Sequence, residues 1–188
     1  EVAEHEMNAI LGNKKVDDEL RGLATPQSAR LLDDDIDEEV VEAMVGAVCA
    51  RFDLSTRWYQ LKAKLLGLSR LAYHDRSASY GKVREDYSYE EAIALVAKVF
   101  GQLDPEFGEI FGRFGQDQID AFPAKGKKEG AFCAAGSLIL PTYILLNFTG
   151  RFDDICTLAH EAGHGLNDEL MKRAQNALNF GSPLSTAE

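Results

Sequence analysis

Apolar residues recur at helical spacing along most of this chain. After the acidic stretch Asp33 to Asp35, Val41, Met44, Val45, Val48, Cys49 and Phe52 fall on one stripe, the pattern of an amphipathic helix. Trp58, Leu61, Leu65 and Leu68 form a second stripe, with Lys62 and Lys64 on its wet side. The segment from Tyr73 to Gly81, rich in Ser, Asp and Gly, reads as a connection. It divides an N-terminal helical lobe, residues 1–80, from a second region, residues 81–188.

In the second region Ser88 opens a helix with Glu91 three residues on, the capping-box spacing, and Ala92, Leu95, Val96, Val99 and Phe100 form its apolar face. Asp104 followed by Pro105 starts another, because proline is tolerated at the first helical position. Phe107, Ile110, Phe111 and Phe114 are its buried face. Between Gly130 and Gly150 the texture changes to short runs of β-branched, aromatic and small residues, broken by Gly136 and Pro141. Two strands are predicted there, near 131–135 and 142–148. A last helix, capped by Asp153 or Asp154, should run to about Lys172. The expected fold is mainly α with a small β-sheet.

Composition adds limits. The 188 residues, 45% hydrophobic and 27% charged, suffice for one real core. A net charge of -11 without a larger basic cluster than Lys125 to Lys128 argues against a nucleic-acid surface. No apolar run reaches the roughly 20 residues that span a bilayer, so no membrane role is expected. Three widely spaced cysteines, Cys49, Cys133 and Cys156, fit reduced thiols, and the cytoplasm is the expected compartment. A start on Glu1 and a stop on Glu188, just after a helix-start signal, suggest a fragment of a longer protein.

The chemistry concentrates in His160-Glu161-Ala162-Gly163-His164. Two histidines four residues apart project from one helix face and can hold one ion, for which zinc suits imidazole ligands. Glu161 lies about 100° around the helix from His160, where a carboxylate that is not a ligand can take a proton from water and pass it to a leaving amine. Ile155, Leu158, Ala159, Ala162, Leu166 and Leu170 share the other side, so the helix is expected to pack on a core with the histidines in a cleft. Gly163 and Gly165 each cost about 1 kcal/mol relative to Ala in a helix interior, which close approach by a neighbouring chain or substrate would explain.

A third ligand is required. An astacin-like pattern needs histidine at position 170, where this chain has Leu170. Glu169 falls on the apolar side, and Asp168, one turn beyond His164, is better placed to support a ligand than to be one. Glu188 then stands as ligand or as capping-box partner of Ser185, and the two roles compete for one carboxylate. A separate set, Cys156 with His160 and His164, occupies successive four-residue steps on one face. His74, His5 and the tyrosines Tyr80, Tyr87 and Tyr89 read as surface or packing residues.

Taken together, Gly130-Ala131-Phe132-Cys133, Leu145-Leu146-Asn147-Phe148-Thr149-Gly150, Leu158-Ala159-His160-Glu161-Ala162-Gly163-His164 and Pro183-Leu184-Ser185-Thr186-Ala187-Glu188 resemble the oligoendopeptidase F branch of the thimet oligopeptidase family. The resemblance is specific from about Tyr87 to Glu188 and looser before it. It implies a zincin-like, largely helical channel peptidase that cuts short peptides and holds one Zn2+ per chain. In that family pattern His160, His164 and Glu188 would be the zinc ligands and Glu161 the general base. Gly130, Ala131, Phe132 and Cys133 would be an edge strand that pairs with substrate backbone. Position 167, often histidine in the family, is Asn167 here, and the family's intermediate-stabilising tyrosine and histidine residues would fall beyond Glu188.

Overall fold

The structure, a computed structural model, describes residues 1–81, 84, 86–114 and 117–187. In chain order its elements are α1 (Val2–Arg21), α2 (Ser28–Asp34), α3 (Glu38–Cys49), α4 (Phe52–Leu65), a 3-10 turn (Tyr73–Ser77), α5 (Tyr89–Leu103), α6 (Pro105–Arg113), β1 (Ile119–Asp120), β2 (Phe132–Ala135), β3 (Thr142–Leu145), α7 (Phe152–Ala174) and α8 (Leu184–Ala187). The fold is mainly α with one small sheet, and the chain divides into two compact units.

The first unit, Glu1–Ala78 with Pro183–Glu188, is all helical. The first predicted stripe lies on α3 as far as Cys49, with Phe52 opening α4, and the second lies on α4 as far as Leu65, with Leu68 beyond its end; neither is covered. No residue of α3 is buried, Ala63 alone is buried in α4, and Met44 and Trp58 are 59% and 54% exposed. Periodicity specifies which face of a helix is apolar; a partner surface has to cover it, and the described part of this unit supplies none.

The second unit, Ser79–Ser182, holds the core. Its first helix, α5, begins as predicted: Ser88 Oγ accepts from the Glu91 N–H at 3.1 Å and Glu91 Oε2 accepts from the Ser88 N–H at 2.9 Å. The buried stripe of α5 is Ala92, Val96 and Phe100, narrower than expected, because Leu95 and Val99 remain 40% and 46% exposed. Helix α6 starts on the Asp104 cap, whose Oδ1 accepts from the Glu106 N–H, with Pro105 at the first helical position. Ile110, Phe111 and Phe114 bury against Phe100 and the sheet residues of the core.

The sheet has the order β1-β3-β2, parallel between β1 and β3 and antiparallel between β2 and β3. The register pairs Phe132 with Leu145 and Ala135 with Thr142. Strand β1, two residues long, has too short a pattern to be read from sequence and depends on its partner: Ile144 N–H donates to the Gln118 carbonyl and Leu146 N–H to that of Asp120. Helix α7 packs across the sheet through Ile155, Leu158, Ala162 and Leu166. Its far end is tied down by Lys172, whose Nζ donates to the Leu140 carbonyl, Thr142 Oγ1 and Glu169 Oε1.

Candidate active site

Helix α7 carries the site, and its start is set by a side chain inside it. Arg151 takes the N-cap position. The expectation that Asp153 or Asp154 would be the cap is corrected: Asp154 lies three residues into the helix and reaches back, its Oδ2 accepting from the Arg151 N–H at 3.0 Å and from the Thr149 N–H and hydroxyl at 2.8 Å each. Burial pushes the Asp154 carboxyl up, but these bonds outweigh it and hold the group below the usual carboxylate range. The phase of α7 is thereby tied to the segment that leaves β3.

Two turns on, His160 and His164 face the same side. Their Nε2 atoms stand 3.1 Å apart, with ring planes at 84°. Zinc–nitrogen bonds of about 2.0–2.1 Å in tetrahedral geometry put two ligand nitrogens about 3.3–3.4 Å apart. The pair is therefore pre-set to within a few tenths of an ångström of sharing one ion. Glu161 is buried, 8% exposed, and it borders the same cleft as His160. Glu188, the expected third ligand, lies outside the described residues. Among the described residues no three His, Cys, Asp or Glu side chains gather as a metal-holding group, so the alternative set of Cys156, His160 and His164 is not assembled.

The two glycines of the motif separate. A Cβ on Gly165 would stand 2.9 Å from Phe114 Cζ and 3.5 Å from Thr142 Cγ2, so close approach by α6's end and β3 does require glycine there. A Cβ on Gly163 would meet nothing within 4 Å, so packing does not account for that glycine.

Around the histidines, Asp168 faces the sheet, and the Cys133 thiol donates to its Oδ2 at 3.6 Å, a sulfur hydrogen bond from β2 to the turn after His164. Burial, then the neighbouring Asp168 carboxylate, pushes the Cys133 thiol up to about 12. Burial likewise raises Asp168, against the pull of Cys133, Lys172 and His164. Asn167 Nδ2 donates to Ser182 Oγ at 3.3 Å. Glu169 is committed elsewhere, to Thr142 Oγ1 at 2.8 Å and Lys172 at 2.6 Å; burial raises its carboxyl, and those two bonds bring it below the usual range.

The cleft bordered by His160 and Glu161 has a volume of about 660 Å³, and His164 is not among its lining residues. The first turns of α7 contribute Asp154, Cys156, Thr157, His160 and Glu161 to it. Gly130 and Ala131, just before β2, and Leu146, Asn147 and Phe148, just after β3, contribute the rest. Strand β2 ends the sheet, and its other edge carries no strand among the described residues. Of its residues Cys133 is half-buried toward α7, whereas Phe132 is exposed beneath the Lys128 ammonium. Sequence reasoning missed Asn147, Asp154 and Thr157 as cleft residues. The polar residue between two core-facing ones, Asn147 between Leu146 and Phe148, was the available signal.

Helix α7, with its His-Glu-x-x-His segment, thus backs a small sheet whose β2 edge is open among the described residues. A solved structure from Chlamydophila abortus has the same fold, with a TM-score of 0.71 at 24% identity over 87% of this chain and 28% of that one. PZ peptidase A, solved with an inhibitor, gives 0.61 at 26% identity over 70% and 24%. The chain belongs to Peptidase family M3, whose model matches residues 4–188. An oligoendopeptidase F homolog from Lactococcus lactis is 26% identical over 171 residues, 90% of this chain and 28% of its own length. The group B oligopeptidase PepB of Streptococcus agalactiae is 32% identical over 143 residues, 74% of this chain and 23% of its own length. The chain thus spans about a quarter of the length of these curated relatives.

Proposed function

We propose that this chain is the metal-holding and proton-transferring part of a zinc-dependent oligopeptidase, with one Zn2+ per chain and short peptides as substrates. The observation that carries the reading is the pairing of His160 and His164 at 3.1 Å, with buried Glu161 on the cleft that His160 borders. The two imidazoles, whose Nε2 atoms face each other, would hold the ion in their neutral form. Glu188 completes the ligand set on the strength of the Pro183 to Glu188 motif alone. The chemistry that zinc supplies when so held is acidification of water to a pKa of about 7 and polarisation of a carbonyl.

Glu161 takes the proton from the attacking water and delivers it to the departing amine; the residue is buried where it borders the cleft. Asp168 and Asn167 brace the turn after His164, through Cys133 and Ser182 respectively. Strand β2, entered from Gly130 and Ala131 and including Phe132 and Cys133, offers its open edge to an extended peptide, whose carbonyls and amides it pairs; Gly130 itself, at φ +81°, lies in the turn before the strand. The compartment that fits three free thiols is the cytoplasm. Among the described residues no helix is long and apolar enough to cross a membrane.

The test is peptide cleavage beside metal analysis in the intact protein. Glu161→Gln should lose activity by about 10²-fold or more with zinc retained, and His164→Ala should lose the zinc itself. Undiminished cleavage by Glu161→Gln removes the general base from the reading.

A further inference from the structure

The antiparallel register of β2 and β3 ends at Phe132 and Leu145; counted two residues further, it would set Gly130 opposite Asn147. The backbone ladder does not continue that far. Gly130 adopts φ +81°, which turns the chain away from extended geometry. At that point a side chain takes over from the ladder: Asn147 Nδ2 donates to the Gly130 carbonyl at 2.8 Å and to the Lys128 carbonyl at 3.0 Å. One primary amide has two N–H donors, and both are committed to this turn. Asn147, Gly130 and Ala131 all border the cleft that His160 and Glu161 share.

We propose that Asn147 is a positioning residue for substrate: its amide clamps the turn at residues 128–130 and so sets the angle at which β2 presents its free edge to an extended peptide. The inference rests on the peptidase reading, and it adds a residue to which that reading gives no role. It differs from direct contact. Asn147 acts through the turn, so any perturbation of the turn must have the same effect on peptide affinity.

The test uses the intact zinc-loaded protein and two substitutions. Asn147→Asp keeps the side-chain shape but replaces both donors with a carboxylate facing two carbonyl oxygens. Gly130→Ala leaves Asn147 in place and strains the same turn, since alanine resists φ +81° while its Cβ would meet nothing within 4 Å. Three quantities are read: hydrogen exchange at the amides of residues 131–133, binding of a fluorescein-labelled decapeptide by anisotropy, and kcat and KM for cleavage of that peptide. Losing two hydrogen bonds of ordinary net strength predicts exchange and peptide Kd both raised about thirtyfold in Asn147→Asp. KM should rise with Kd while kcat and zinc content hold, and Gly130→Ala should follow in the same direction.

Unchanged exchange in both variants overturns the clamp. Weakened binding in Asn147→Asp with Gly130→Ala unaffected also overturns it, because Asn147 would then touch the peptide directly. A fall in kcat with KM unchanged overturns it as well. A wild-type protein that binds the decapeptide but does not cleave it sinks the peptidase reading while leaving the exchange and anisotropy results to decide the clamp; a wild type that does not bind it overturns both.

Discussion

Gly163 and Gly165 stand two residues apart in the same helix, and replacing each with alanine should move stability in opposite directions. Either change gains about 0.8–1.0 kcal/mol of helix propensity. At Gly163 that gain is all there is, because the new Cβ meets nothing within 4 Å. At Gly165 the Cβ arrives 2.9 Å from Phe114 Cζ and 3.1 Å from Cε2, against a comfortable carbon–carbon separation of about 3.5–4.0 Å. The ring tip would have to retreat, yet Phe114 is 8% exposed and packs edge-on against Phe111, while fully buried Thr142 stands 3.5 Å from the same Cβ. Overpacking of this kind costs about 1–3 kcal/mol, so Gly165→Ala should destabilise by about 1 kcal/mol while Gly163→Ala stabilises by nearly as much.

For a cooperative unit of about 100 residues each kcal/mol is worth about 4–8 °C, so the two variants should melt about 8–15 °C apart. Urea unfolding followed by far-UV circular dichroism gives the same comparison through the midpoints, provided the slope is unchanged. Combining Gly165→Ala with Phe114→Leu removes the ring tip, and the pair should then be less harmful than the sum of its parts. If Gly165→Ala stabilised as Gly163→Ala does, the contact between α7 and Phe114 would be wrong, and with it the seating of the histidine motif on the core.

Two further predictions rest on the flanks of the site. Asp154→Ala should cost about 1–2 kcal/mol by removing the acceptor of three bonds at the start of α7. Because the folded carboxyl lies below its ordinary value of 3.8, that stabilisation is complete above the unfolded value and is lost as pH falls through the lower folded one. The difference in urea midpoint between wild type and variant should accordingly be constant above about pH 5 and shrink below about pH 4; a difference that grew on acidification would contradict the assignment. With Cys133 pushed from 9.0 to about 12, its thiolate is about a thousandfold scarcer than at an ordinary thiol. Iodoacetamide at pH 8 should therefore label exposed Cys49 and Cys156 well before Cys133, as read by peptide mass mapping.

Local signals decided much of what is seen. The Ser88–Glu91 capping box, the Asp104–Pro105 start and the helical spacing of His160 and His164 are effects confined to one or two turns, and each is where the sequence put it. The pairing of His160 with His164 was legible for the same reason: a four-residue step on a helix brings two imidazoles together without help from the rest of the fold. What required the tertiary structure was anything that joins distant segments. Strand β1 exists only because β3 pairs with it. Asp154 acts as a reach-back acceptor because Thr149 and Arg151 turn toward it, and the need for glycine at 165 but not at 163 comes from Phe114, some fifty residues away in the chain. The stripes of α3 and α4 mark the opposite limit: periodicity names an apolar face but is blind to what, if anything, lies against it. Helix faces and caps are set by neighbours within four residues, whereas clefts, close approaches and strand edges are set by which surfaces meet, and only the folded chain decides that.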